Sequence, residues 1–265
     1  MKGIVLKSRE EAEIIKANGD ILGRAHAEVA KLIGEGVKTS LLDKIAEEFI
    51  LDNQAKPSFK NYNGFPYSLC ISVNEVVVHG FPNDRELRNG DIISVDGGVY
   101  KNGFHADSAY TYVVGEVDAK TRALVKDTKA SLFEGIKVVR PGNRIGDLGY
   151  TVQKYTEERG YGVVRELVGH GVGRNLHEGP DVANYGKRGQ GTKMEAGMVL
   201  AIEPMITLGK RFVVQEQDGW TIRTEDRLPA AHFEHTVWVN AGGCEILTTF
   251  EYIEEVLRSK NLEVL

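Results

Sequence analysis

The dipeptide Asn102-Gly103, set between two apolar runs, constrains this chain more than any other feature. A two-residue hairpin turn needs positive φ at both central positions, and Asn-Gly adopts it most readily. Ile92, Ile93 and Val95 lead into the turn, and Tyr110, Tyr112, Val113 and Val114 lead away. Counting outward predicts that Lys101 faces Phe104, Gly98 faces Asp107 and Asp96 faces Ala109. Side chains alternate faces along a strand, so Asp96 and Gly98 share a face, with Asp107 diagonal to Asp96. The two carboxylates then lie roughly 7 Å apart or less at Cβ, and Gly98 offers no side chain to fill the space between them. Two anions that close repel unless a cation lies between them. Asp-Gly alone marks only a turn, so the metal reading depends on what the rest of the chain adds.

At 265 residues the chain can bury a substantial core. A formal net charge of −5 leaves no basic footprint for nucleic acid or an anionic membrane. Cys70 and Cys244 make neither a disulfide framework nor a Cys-rich zinc module, and they fit a reducing compartment. The N-terminal apolar run is too short for a signal peptide, and no stretch reaches the length of a membrane span. A cytoplasmic protein is expected.

Ser8 and Glu11 form a capping box ahead of a helical period from Ile14 to Ile33. Thr39 is read as the cap of a second helix burying Leu42, Ile45, Ala46 and Phe49. A strand pair is expected from Leu69 to Val78, turning at Asn74-Glu75, followed by the central hairpin. The pattern then restarts. Asp118 caps a helix to Val139, and a shorter helix turns Leu148, Val152 and Tyr155 inward, matching Leu42, Ala46 and Phe49 at an offset of 106 residues. Short strands follow at Val163–Val168, Val199–Ile202, Phe212–Gln215, Trp220–Arg223 and Phe233–Val239, with a closing helix from Phe250 to Lys260. The fold class is α+β: two αα-plus-β halves, approximately 1–115 and 116–265, packed as a single catalytic domain, since no Pro/Ser-rich linker divides them.

Three acid or imidazole positions in the second half suit the same cation. His170 lies among glycines in Gly169-His-Gly-Val-Gly173, Glu203 ends an apolar strand, and Glu234 sits among apolar neighbours. A buried acid is expensive unless paired or ligating. Each position alone is equally well read as structural; together with Asp96 and Asp107 they form a donor set. Four carboxylates and one imidazole are too oxygen-rich for structural zinc and suit Mn²⁺, Fe²⁺ or Co²⁺, with catalytic Zn²⁺ a further candidate. A ligand charge of about −4 balances two divalent ions. Such a pair, about 3.5–4 Å apart, turns a bridging water into a hydroxide aimed at a carbonyl. His79 and His177 are placed to hydrogen-bond a scissile amide and its tetrahedral oxyanion. His26 is read as a helix-surface residue, and His105 and His235 as pointing to the opposite faces of their strands.

These five positions, with Val78-His79-Gly-Phe-Pro82 and Gly169-His170-Gly-Val-Gly-Arg-Asn-Leu-His177-Glu178, resemble a type I methionine aminopeptidase in its compact bacterial form. The resemblance spans nearly the whole chain and implies the pita-bread fold, two pseudo-two-fold halves with a dinuclear metal site in the crevice. It implies removal of the initiator methionine from nascent polypeptides when the second residue is small. Asp96 is then a ligand of one metal, His170 and Glu203 of the other, while Asp107 and Glu234 bridge both. Glu203 relays a proton, His79 meets the amide nitrogen and His177 the substrate carbonyl. Tyr62, Phe65, Cys70, Leu176 and Trp220 form the methionine pocket, which suits a thioether. A monovalent cation near the Asn74, Val76 and Ala230 carbonyls is also implied.

The chain departs from the family at Phe65, where Tyr is common, at Leu176, where Phe is common, and at His232, a position usually held by Gln. The effect of these three on specificity and pH profile stays open, as do the working metal and docking on the ribosome; a monomer is the default. The nearest rivals are a prolidase or proline-specific aminopeptidase on the same fold, which usually carries an added N-terminal domain. A binding protein that has lost its ligands and a phosphate cradle at Gly169–Arg174 fit less well, the latter lacking a P-loop ending.

Overall fold

The computed structural model describes residues 3–265. Its first half runs α1 (Arg9–Leu32), α2 (Thr39–Asp52), β1 (Lys56–Pro57), a 3-10 turn (Tyr62–Gly64), β2 (Leu69–Val73), β3 (Val76–Val78), β4 (Ile92–Lys101) and β5 (Phe104–Val113). The second begins with α3 (Ala119–Lys137), α4 (Ile145–Glu157), β6 (Gly162–Val163), β7 (Gly169–Gly171), β8 (Glu178–Val182) and β9 (Val199–Ile202). It ends with β10 (Met205–Thr207), β11 (Val213–Gln215), β12 (Ile222–Thr224), β13 (Ala230–His232), β14 (Glu234–Asn240), β15 (Gly243–Ile246) and α5 (Glu251–Ser259).

The helices start where their caps dictate. Ser8 Oγ accepts the Glu11 N–H at 3.3 Å while Glu11 accepts that of Ser8 at 3.0 Å. Asp118 accepts the N–H groups of Lys120 and Thr121 at the head of α3. Thr39 differs: it is the first residue of α2, after a Lys38 cap. Its hydroxyl is engaged by Asn83, donating to the carbonyl at 3.0 Å and accepting the N–H at 2.9 Å. Helices α2 and α4 repeat each other's burial: Leu42 and Leu148, and Ala46 and Val152, are buried, whereas Phe49 and Tyr155 are only half-buried. Tyr155 was expected to turn inward; it does so only in part, with the Arg159 guanidinium over its ring, 3.6 Å from the centroid.

Strands β1-β4-β5-β14-β9-β7-β8 form one sheet, with β2 also against β4 and β15 against β14. The order is symmetric about the β5–β14 seam, since β4 and β2 lie outside β5 as β9 and β7 lie outside β14. This is the geometric counterpart of the faint internal repeat. Two pairs in register, Glu234↔Ala109 and His235↔Ser108, join the halves at the seam. Hydroxyls stitch the rest. Thr236 Oγ1 donates to the Asp107 carbonyl at 2.8 Å, Ser108 Oγ to that of Glu234 at 3.0 Å and Thr111 Oγ1 to that of His232 at 2.7 Å.

One face of the sheet carries Ile93, Val95, Tyr110, Tyr112, Leu200, Ile202 and Val237 into the core with Val29, Leu42, Leu124 and Leu148 of the helices. Each such aliphatic side chain contributes about 1.5–3 kcal/mol when fully buried. The opposite parity of the same strands carries the acids. Helix α1 also packs closely on the segment before α5, where a Cβ on Gly19 would lie 2.2 Å from the Leu247 carbonyl oxygen.

Three expectations are corrected. Strands β2 and β3 do not pair as a ladder; β2 joins β4, and β3 crosses to a second sheet, β11-β12-β3. Of Val163–Val168 only Val163 lies in a strand, in the small sheet β13-β10-β6. His26 is buried, its Nε2 donating to the Ser108 carbonyl at 3.1 Å, because α1 is covered on more than one side. No helix among the described residues is long and apolar enough to cross a membrane.

Candidate metal centre

The hairpin register is the one counted from Asn102-Gly103: Lys101↔Phe104, Gly98↔Asp107 and Asp96↔Ala109. Asn102 and Gly103 both have positive φ, 52° and 85°. The register continues across the sheet, Cys70 opposite Asp96, Asp96 opposite Ala109 and Ala109 opposite Glu234. One row thus crosses four strands from a thiol to two carboxylates, with only the Ala109 methyl between the acids. Ile202 pairs with His235, which sets Glu203, just past β9, beside Glu234. The space at Gly98 is not open, as the sequence suggested. A Cβ there would lie 2.7 Å from that of Ser58, so Ser58 takes it up.

Asp107, His170 and Glu234 bring donor atoms within 4.8 Å of one another. His170 Nε2 is 3.8 Å from Asp107 Oδ2 and 3.6 Å from Glu203 Oε1. Its Nδ1 lies 2.9 Å from the Gly171 carbonyl, which can only accept, so Nδ1 carries the proton and Nε2 presents a lone pair to the acids. Asp96 Oδ1, Asp107 Oδ1 and Glu234 Oε1 are buried without a hydrogen-bond partner among the described residues. No Lys or Arg there forms an ion pair with any of the four carboxylates, whereas His170 and His232 approach them. Burial, then mutual repulsion, holds Asp96, Glu203 and Glu234 well above the ordinary carboxylate range. Burial pushes Asp107 up to about 8 against the hydrogen bond from the Ser108 N–H. Orphaned, oxygen-rich and without a counter-ion from the protein, the donor set fits divalent cations.

A cavity of about 300 Å³ opens onto the acids and is lined by the expected ligands Asp96, Asp107, His170, Glu203 and Glu234, by His79 and His177, and by the expected pocket residues Tyr62, Phe65, Cys70, Leu176 and Trp220, but not by His232, Asn74, Val76 or Ala230. Its apolar end is aromatic, with the Phe65 and Trp220 rings 5.2 Å apart, edge to face. Burial raises the Cys70 thiol, with Asp96 and Asp107 adding to the effect. His177 Nδ1 is 2.8 Å from the Tyr62 hydroxyl, and its ring stands 4.1 Å from that of His170. His79 holds φ at +59°, a left-handed conformation uncommon outside Gly, Asn, Asp and His. Burial lowers its pKa.

The positions set aside fall outside the acid cluster, not all as expected. His235 stacks on Phe250 at 3.8 Å, away from the site. His105 lies two residues from Asp107 and so shares its face; Ser58 holds its ring at 2.9 Å, and it lines a neighbouring cavity. His232 places Nε2 3.7 Å from Glu203 Oε2. Asn74 and Ala230 do meet, the Asn74 carbonyl accepting the Ala230 N–H at 2.9 Å. The sequence reading missed Phe59, Asn63, Val78, Leu167, Val168 and Met205 as cavity walls. Most are apolar residues with nothing in their local pattern to separate wall from core.

Buried acids and an imidazole at the seam of two like halves define a candidate metal-binding scaffold. The model of metallopeptidase family M24 matches residues 13–241, and the chain belongs to that family. A methionine aminopeptidase of Clostridium perfringens is 47% identical over 245 residues, covering 92% of this chain and 98% of that one. The crystal structure of methionine aminopeptidase from Thermotoga maritima matches with a TM-score of 0.92 at 43% identity, covering 93% of this chain and 100% of that one. Prolidase from Pyrococcus furiosus matches at a TM-score of 0.76 and 25% identity; 92% of this chain covers 65% of it. The pita-bread fold expected from the motifs is the fold found.

Proposed function

We propose that the whole chain acts as a methionine aminopeptidase, hydrolysing the first peptide bond of nascent polypeptides when a small residue follows the methionine. The observation that carries this reading is one cavity with two ends: an aromatic slot at Phe65 and Trp220, and a cluster of buried acids without cationic partners. Asp96, Asp107, His170, Glu203 and Glu234 would hold two divalent ions, Asp107 and Glu234 shared between them. When bound, the ions supply Lewis acidity that lowers the pKa of water and polarises the scissile carbonyl.

The protein's own side chains do the rest. Tyr62, Phe65, Cys70, Leu176 and Trp220 take up the methionine side chain. Phe65 and Leu176 present carbon alone, so selection there is by shape and dispersion. His177, steadied by the Tyr62 hydroxyl, donates to the carbonyl oxygen as charge builds on it. His79 meets the amide nitrogen. Glu203 takes a proton from the attacking water and returns it to the departing amine, so water is added across the C–N bond, releasing methionine and a peptide with a new amino terminus. The setting that goes with this reading is a cytoplasmic monomer in transient contact with the ribosome.

With Mn²⁺, Fe²⁺ or Co²⁺ added, the protein is expected to release methionine from Met-Ala-Ser and not from Met-Leu-Ser, read by chromatography of free methionine. Preferential cleavage of X-Pro peptides would give the chain to the prolidase branch of the fold instead.

A further inference from the structure

Lys7 and Glu178 form a buried ion pair across 171 residues of sequence, their side chains 1% and 3% exposed. Lys7 Nζ also donates to the Val5 carbonyl at 2.8 Å, and Glu178 Oε1 accepts the Asn175 N–H at 3.1 Å. Glu178 directly follows His177 and pairs opposite Gly171, which directly follows His170. One carboxylate therefore lies next in sequence to His177 and, across the ladder, opposite the neighbour of His170. Gly173 is glycine because a Cβ there would sit 2.4 Å from Lys7 Cε and 2.6 Å from Glu178 Oε1. Further ties join the same segments: Ile4 bridges to Gly179, and Arg174 pairs with Glu11 at 2.9 Å.

Resting on the function proposed above, we infer that Lys7 and Glu178 are positioning residues of the reaction. The N-terminal strap is fastened by its lysine to the turn between His170 and His177 and sets where their rings stand. A buried ion pair contributes little net stability, because desolvating two charges offsets their attraction; what it can supply is a unique geometry. Its place behind both imidazoles says which geometry that is. Neither residue lines the cavity that holds the acids, so the pair acts through His177 and His170.

The test uses the full chain loaded with Mn²⁺ and Met-Ala-Ser as substrate. Lys7→Met and Glu178→Gln are each expected to lower kcat tenfold or more while KM stays within threefold. Amide hydrogen exchange across residues 169–178 should quicken tenfold, with the 92–113 hairpin unchanged. Lys7→Arg should keep most of both. Each single variant leaves a charge buried and unpaired, so the double variant K7M/E178Q separates fold from function. It is expected to regain the wild-type melting temperature without regaining kcat. Full recovery of kcat in the double variant, or wild-type exchange at 169–178 in Lys7→Met, overturns the inference. If the unaltered chain does not cleave Met-Ala-Ser, the functional reading falls, and the exchange measurement still decides whether the tether exists.

Discussion

His26 donates from Nε2 to the Ser108 carbonyl, and burial lowers its pKa from 6.5 to about 4. Between those values the unfolded chain binds a proton that the folded chain refuses. The stabilisation from this residue is therefore complete above pH 6.5 and is lost as the pH falls toward 4, a swing of about 3 kcal/mol. His235, lowered to about 3 by burial and Lys129, works in the same direction. Urea unfolding of wild type and His26→Gln at pH 7 and pH 4.5 isolates the His26 contribution, since the stability gap between them should change by about that amount, with wild type losing more, or gaining less, on acidification. An unchanged acid slope in the variant would mean that His26 titrates normally. The helical period places His26 beside Ala25 and Ala27 but does not show that β5 packs above it, which is why its burial could not be read from the chain alone. Asp96 and Asp107 were legible because turn chemistry and alternation are local rules. The left-handed backbone of His79 has no such local signature.

At the scale of elements, the β4–β5 hairpin is the most legible part of the chain, its register following by count from two turn residues. Strands such as β8, β10 and β13 were not, since they are short and defined by their partners rather than by alternation. The same limit hid the parting of β2 from β3, whose two short, largely apolar runs look alike in one sheet or two. Within the row across β4, β5 and β14, Ala109 keeps the two carboxylates from being separated by bulk. Ala109→Val adds two methyl groups there, an overpacking that costs about 1–3 kcal/mol in a close-packed interior. Affinity for Mn²⁺, measured by calorimetric titration, is expected to fall about tenfold, at 1.4 kcal/mol per decade. Wild-type affinity would place the ions away from this row.

For the molecule as a whole, the proposed ligands come from both halves: Asp96 and Asp107 from one, His170, Glu203 and Glu234 from the other. Without cations the seam confines acids that repel one another, and the folded state holds protons that the unfolded chain would release. For Asp107 that window runs from 3.8 to about 8. Metal-free protein should accordingly lose stability as the pH rises through it. Ions at a hundredfold excess over Kd add about 2.7 kcal/mol, or roughly 5–10 °C of melting temperature. Melting in EDTA and in Mn²⁺ should show a larger gain at pH 8 than at pH 5, where protons compete for the same oxygens. Equal gains at both pH values would remove the buried carboxyls as the binding groups. The paired halves themselves were visible beforehand only as Leu42, Ala46 and Phe49 echoed by Leu148, Val152 and Tyr155. Strand order makes the echo explicit, because hydrogen bonding across a seam is information no single segment carries.

The hydroxyl-stitched seam also works as a gauge. Asp107 and Glu234 stand on adjoining strands, and adjoining strands keep a separation of about 4.7–4.9 Å. The anchoring points of the two acids, diagonal to one another across the seam, are therefore fixed by peptide groups. Only the carboxylate rotamers are left to adjust to a cation.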